Sequence, residues 1–197
     1  MPNRPTVYTF RTKTGRPIRV RPLVPEDAPY LVDLFENMSD KSRYQRFLQT
    51  LDSIEMERVW SQAEQIAEGT AVNSHGLLAF CDMSERPDVP VAAARYVHTD
   101  AGEAEIGISV RDDMQNLGIG SQLLGLLLDE ARREGIGRLV ALYQSENAAI
   151  RAIFRKLDCR MTRQPDGIYT YVVLHVAEPP DVMDAAADFS PETRFIG

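Results

Sequence analysis

Cysteine is scarce in this chain: Cys81 and Cys159 are the only two among 197 residues, which excludes a disulfide framework. Their separation is not that of a metal clip, and each reads as a small buried hydrophobe. The three histidines, His75, His98 and His175, are scattered, with no HExxH and no carboxylate at ligand spacing, so no metal is expected. Long apolar runs are also missing. No stretch approaches the roughly 18 residues that cross a bilayer, so no membrane partner is expected. The segment from Met1 to Thr14 is basic but lacks the apolar core of a secretory leader, and a cytoplasmic location is expected. Positive charge is in deficit. A formal net charge of −7 argues against nucleic acid as a partner, because phosphate binding needs a basic surface.

What is present suits one domain of ordinary size, with 44% hydrophobic and 26% charged residues. Residues 1–176 are expected to form it, with the core over about 18–176. Residues 177–197 read as an acidic tail, partly ordered at most, in which Glu178, Asp181, Asp184, Asp188 and Glu192 face a single Arg194.

Val7 to Phe10 and Ile18 to Arg21 alternate apolar and polar residues around Gly15, the pattern of a hairpin or two short strands. Pro25, Glu26 and Asp27 then start a helix carrying Leu31, Leu34, Phe35 and Met38. Ser39, Asp40 and Ser42 cap a second helix, and Ile54 to Ala67 form a third. Strands follow at about Gly76–Cys81, Val89–Val97 and Glu103–Arg111, an antiparallel meander. Gly120, Leu123, Leu124, Leu127, Leu128 and Ala131 make one apolar stripe at helical spacing, ended by Gly135. Leu139–Tyr143 reads as a strand, Asn147–Leu157 as a helix and Ile168–Val176 as a closing strand.

Between the strand ending near Val110 and the long helix lies Gln115-Asn116-Leu117-Gly118-Ile119-Gly120-Ser121. A helix amino terminus has unpartnered amides and about half a positive charge, so such a turn suits a pyrophosphate held by main-chain N–H groups. Gly118 and Gly120 would admit phosphate oxygens close to the backbone. Two other phosphate loops fail on these letters. A dinucleotide fingerprint needs a small residue where Leu123 stands, and a Walker loop needs lysine where Ser121 and Gln122 stand.

Glu105-Ile106-Gly107-Ile108-Ser109-Val110, the Gln115-x-x-Gly118-x-Gly120 turn and the amphipathic helix together resemble the central motif of the GNAT superfamily of N-acyltransferases. The resemblance implies an α+β (mixed α/β) fold: a mostly antiparallel twisted sheet of six to seven strands flanked by helices and splayed between the fourth and fifth core strands. It implies acetyl-CoA as acyl donor, bound by Gln115, Asn116, Leu117, Gly118, Ile119, Gly120 and Ser121. Main-chain groups of Ser109 and Val110 would pair with the pantetheine arm, which Asn147 would also contact.

A narrower resemblance runs through Arg19-Val20-Arg21-Pro22, Pro25-Glu26-Asp27-Ala28 and Ser42-Arg43-Tyr44-Gln45-Arg46-Phe47-Leu48. These segments are similar to bacterial protein-lysine acetyltransferases of the Pat type, some of which modify acyl-CoA synthetases. The implied acceptor is therefore a protein lysine. Some relatives carry a cyclic-nucleotide-binding domain ahead of the catalytic one, which 197 residues are not expected to accommodate. Within the last segment, Ser42, Arg43, Tyr44 and Arg46 suit an acceptor-side surface, and capping or packing accounts for them equally well.

A lysine amine is only about one part in 10³ to 10⁴ neutral at pH 7, so direct attack needs a base. Glu105 is the expected one: it precedes the β-bulge region on the strand expected to line the cleft, the Pat-type resemblance implies a general-base glutamate there, and it shares a strand face with Gly107 and Ser109. Glu103 is a more solvated competitor. An amide near Val110 would polarise the thioester carbonyl. Many family members place a tyrosine, as general acid, where this chain has Phe154; Tyr143 is a possible substitute, more simply read as a packed aromatic. Arg151 and Arg155 share a helix face and read as solvated charges. Rival readings are acetylation of a small amine and a non-catalytic acyl-CoA sensor.

Overall fold

The computed structural model describes residues 8–48, 55–70, 72–84, 86–99 and 102–176. The acidic tail and the expected start of the third helix at Ile54 lie outside these residues. Among the described residues, eight strands form one sheet in the order β1-β2-β3-β4-β5-β6-β8-β7. They are β1 (Tyr8–Arg11), β2 (Pro17–Pro22), β3 (Ser74–Met83), β4 (Arg86–His98), β5 (Ala104–Val110), β6 (Arg138–Gln144), β7 (Arg160–Asp166) and β8 (Tyr169–His175). Among the described residues, α-helices flank the sheet: α1 (Ala28–Glu36), α2 (Asp40–Phe47), α3 (Met56–Gly69), α4 (Ile119–Arg133) and α5 (Ala148–Phe154).

The sheet exceeds the expected six to seven strands because β7 carries no apolar alternation. Its residues, Arg-Met-Thr-Arg-Gln-Pro-Asp, are exposed apart from a half-buried Met161. That composition, with Pro165 inside the strand, is tolerated because β7 is an edge that pairs only with β8.

On one sheet face lies α4, whose Leu123, Leu124, Leu127 and Ala131 are fully buried against residues of β3 to β6 and β8. Each buried leucine contributes roughly 1.5–3 kcal/mol of transfer free energy. On the other face α1 packs on α3 through Val32, Val59, Ala63 and Ala67, and Tyr30, Leu31 and Ile66 cover Leu78, Phe80 and Ala93. The entry into α1 is locked by charge. Arg21 donates to both carboxylate oxygens of Asp27 at 2.6 and 2.9 Å, and Asp27 also accepts from the Val24 amide at 3.0 Å. The Arg21-Pro22…Asp27 signature thus has a structural duty.

Every neighbouring pair is antiparallel except β5 and β6. Those two are parallel and pair only at Ala104↔Leu139 and Glu105↔Val140. Past Glu105 they diverge, while β6 stays paired along its length with β8. Counted from β2, this is the expected splay between the fourth and fifth strands. The expected β-bulge is absent: β5 keeps an unbroken register with β4 from Ala104 to Val110. Register shifts fall instead between β3 and β4, near Phe80 and Cys81.

Candidate active site

The divergence of β5 from β6 makes a cleft whose vertex is Glu105, the last β5 residue with a partner on β6. Along β5, Ala104 and Ile106 are buried towards α4, whereas Glu105 is exposed and Gly107 and Ser109 line the opposite face. The parity expected for Glu105, Gly107 and Ser109 follows from this pleat.

Antiparallel pairing also determines which main-chain groups face the cleft. Arg111 donates its amide to Val91 at 3.0 Å. Alternation along the unbroken β4–β5 register then turns the N–H and C=O groups of Ile106, Ile108 and Val110 towards the cleft and those of Ser109 towards β4. Of the expected pair, Val110 therefore presents its backbone to a ligand arm and Ser109 presents a side chain. Gln115 reaches back over the end of β5: its Nε2 lies 3.2 Å from the Val110 carbonyl, 3.1 Å from Ser42 Oγ and 3.1 Å from Asp112 Oδ1. Its amide group ties α2, β5 and the turn together and is not free for phosphate.

The remainder of the turn forms the amino terminus of α4. Asn116 and Gly118 have positive φ, 60° and 91°, which aim the chain into the helix. No side chain caps α4, so the amides of Ile119, Gly120 and Ser121 are the ones the helix leaves without partners. Ile119 is a core residue and Leu117 packs against the core, so both act through their backbone. Gly120 also has a packing role: a Cβ there would lie 2.8 Å from Ile153 Cδ1 and 3.4 Å from Val110 Cγ2, so the glycine lets α4 approach α5 and β5. Asn147 caps α5, its Oδ1 accepting from the Ile150 amide at 3.1 Å, which leaves its NH₂ group for a ligand.

One residue of this site gave no signal in the sequence. Lys13, in the β1–β2 turn, donates its amide to the Leu117 carbonyl at 3.0 Å and its Nζ to the Asn116 carbonyl at 3.0 Å. A cation thus stands beside the phosphate-type turn, brought there by a contact across 103 positions. No local pattern announces it.

On the α1–α2 side, Arg46 lies over Gly107 so closely that a Cβ at Gly107 would meet its Nη2. Arg95, paired across the strands with Gly107, shares this face. Burial, and the nearby Arg95, push the Arg46 guanidinium down to about 10; Glu105 opposes this. Burial likewise lowers Arg95, again opposed by Glu105. With Ser109, Leu23, Leu34, Phe35 and Met38 these arginines line a small cavity. Nearby, Arg43 stacks on the Phe35 ring at 4.3 Å, a packing role, and Tyr44 Oη meets Tyr169 Oη at 3.4 Å.

Phe154 is fully buried and its ring lies 5.5 Å from that of Tyr143, which is 4% exposed. Both are core aromatics. Arg151 and Arg155 are exposed. Glu103 is buried, 7% exposed, and pairs with Arg138 at 3.1 Å, which removes it as a solvated competitor of Glu105.

A model of the acetyltransferase (GNAT) domain matches residues 18–160. The chain belongs to the GNAT acetyltransferase family. It is 28% identical over 178 residues to acetyltransferase Pat of Mycolicibacterium smegmatis, covering 89% of this chain and 50% of that protein. It therefore spans about half the length of that relative. Acetyltransferase PA5475 of Pseudomonas aeruginosa is 27% identical over 154 residues, 77% of this chain and 80% of that protein. The solved GNAT domain of S. lividans PAT superposes with a TM-score of 0.71 at 25% identity, covering 85% of this chain and 96% of that domain.

Proposed function

We infer that this GNAT acetyltransferase moves an acetyl group from acetyl-CoA to a primary amine, with a protein lysine as the leading acceptor, and that Glu105 is the general base. The observation that supports it most is the cleft itself, with an exposed carboxylate at its vertex and an uncapped helix amino terminus beyond its open end. The Pat-type segments favour the protein acceptor. Bound there, the donor supplies an activated thioester, and the amides of Ile119, Gly120 and Ser121 with Lys13 hold its pyrophosphate. The Val110 amide faces the arm, and Asn147 offers its NH₂ group.

Glu105 removes one ammonium proton, directly or through water, to free the amine for attack, and as the C–N bond forms and the C–S bond breaks the nitrogen's second proton passes to solvent. A coenzyme thiol has a pKa near that of cysteine, about 8.5, so the thiolate leaves and takes a solvent proton without a tyrosine at Phe154. Glu105→Gln is expected to lower turnover by about tenfold or more while acetyl-CoA binding stays nearly intact, read by thiol release and calorimetry. Unchanged turnover would remove Glu105 from this role. Acetyl-CoA binding without thiol release for any protein or amine would replace the enzyme by a sensor.

A further inference from the structure

Among the described residues, the half-buried arginines divide by partner. Arg21, Arg43 and Arg111 each lie within ion-pair distance of a carboxylate, as do the more exposed Arg19, Arg86, Arg132, Arg133 and Arg138. Arg46 and Arg95 do not, although both are half-buried and the chain has 29 acids to 22 basic residues. Among the described residues neither guanidinium makes an ion pair or hydrogen bond; Arg46 touches the Phe47 ring at 5.1 Å, and Glu105 acts on both only at longer range.

Two like charges held together and partly out of water destabilise a fold unless something compensates them. Arg46 from α2 and Arg95 from β4 line one cavity against the β5 face that carries Gly107, Ser109 and, by strand parity, Glu105. The phosphate-type turn is not their ligand site: α4 lies on the opposite sheet face. Gly107 supplies the space that Arg46 occupies. The rest of the lining is apolar, from Leu23, Leu34, Phe35 and Met38. A planar anion on a short apolar stem fits this lining, because a guanidinium fork matches a carboxylate in two hydrogen bonds.

We propose that Arg46 and Arg95 form a carboxylate subsite for the acceptor, so that the preferred amine carries a carboxylate within a few bonds or one residue of the nitrogen that is acetylated. This rests on the acetyltransferase reading above and names its acceptor class. The carboxylate has two possible sources: an acidic side chain flanking a target lysine, or the carboxylate of a free amino acid.

The experiment compares acceptors that differ only in that charge. Thiol release is measured for lysine peptides with Glu or Gln beside the lysine, and for free amino acids against their amides, with wild type, Arg46→Gln and Arg95→Gln. Wild type is expected to favour the acid over its neutral partner by about tenfold in kcat/KM, and each variant to erase most of that preference through KM. Preference within the peptide pair assigns the protein source, and preference within the amino-acid pair the small-molecule source. Turnover of acids and neutral partners alike overturns the subsite while leaving the acetyltransferase reading intact.

Binding is tested separately, without turnover, by NMR titration of N-acetylglutamate against N-acetylglutamine. Wild type and Glu105→Gln are expected to bind the acid selectively, and the arginine variants to lose that selectivity. Equal binding of acid and amide, or binding of neither, overturns the proposal even if no acceptor is ever acetylated. Thermal melts give a third readout. A merely structural pair would melt several degrees lower on substitution and leave acid preference unchanged, whereas a ligand site keeps or raises its Tm when an uncompensated charge is removed.

Discussion

Lys13 Nζ lies 3.0 Å from the Asn116 carbonyl, and that hydrogen bond joins the β1–β2 turn to the turn that opens α4. A neutral carbonyl is a weak partner for an ammonium, so the charge remains available to a phosphate arriving at the α4 amino terminus. Lys13→Ala is expected to raise the acetyl-CoA KM about five- to tenfold with kcat little changed, and Lys13→Glu to raise it further. Because the contribution is a screened surface charge, the gap between wild type and Lys13→Ala should narrow as salt rises from 20 to roughly 300 mM. Kinetics at the two ionic strengths check this. A salt-independent gap would make Lys13 a purely structural strap.

Gly118 and Gly120 belong to one motif and do different work. At Gly118 a φ of 91° is costly for any residue with a Cβ, by roughly 1–2 kcal/mol. At Gly120 an added Cβ would press on the flexible end of Ile153, at 2.8 Å, with Val110 and Ile108 at ordinary contact distances of 3.4 and 3.6 Å, and alanine is the better helix former by about 1 kcal/mol. Gly118→Ala is therefore expected to lower urea-unfolding stability by about 1–2 kcal/mol, and Gly120→Ala to stay within about 1 kcal/mol of wild type. The reverse order would show that close packing against α5, not backbone conformation, dominates this turn.

Legibility in the sequence followed the range of the interactions involved. The α4 stripe of Leu123, Leu124, Leu127 and Ala131 is periodic because one face meets the core, so the helix and its burial could be read together. The strand face of Glu105 was legible for the same reason, since parity placed it with Gly107 and Ser109, while its expected role came from the Pat-type resemblance. The β7 edge was not, since a strand solvated on both faces has no periodicity to show. Lys13 and Arg95 reach the site by contacts between distant segments, and their neighbours in sequence carry no trace of those partners, whereas Arg46 lay in a segment already read as suiting the acceptor side. The close packing at Gly120 was not legible, because a missing Cβ looks the same in sequence whether it faces a ligand or a side chain.

Acid should loosen the molecule at two named ties. Glu130 on α4 accepts from Tyr8 Oη at 2.6 Å and from Arg133 at 2.8 Å. Burial pushes its carboxyl up, but the hydrogen bonds from Tyr8 and Arg133 outweigh that and hold it below its ordinary 4.5. Asp112 behaves alike: burial raises it, and the hydrogen bonds of Ser39 and Ser42 bring it below 3.8. A carboxyl with a folded pKa below its unfolded value contributes stability that is fully present above the unfolded value and is lost as pH falls through the folded one. Both ties should therefore leave stability flat in pH around neutrality and weaken it progressively below about 4.5. Tyr8→Phe isolates the first tie. It is expected to cost about 1 kcal/mol at pH 7, where Glu130 is ionised. The difference from wild type should shrink as urea titrations move from pH 5 to about 3, because protonated Glu130 no longer gains from the phenol as an anion does. A gap that stays constant across that range would mean that Tyr8 stabilises α4 by packing alone.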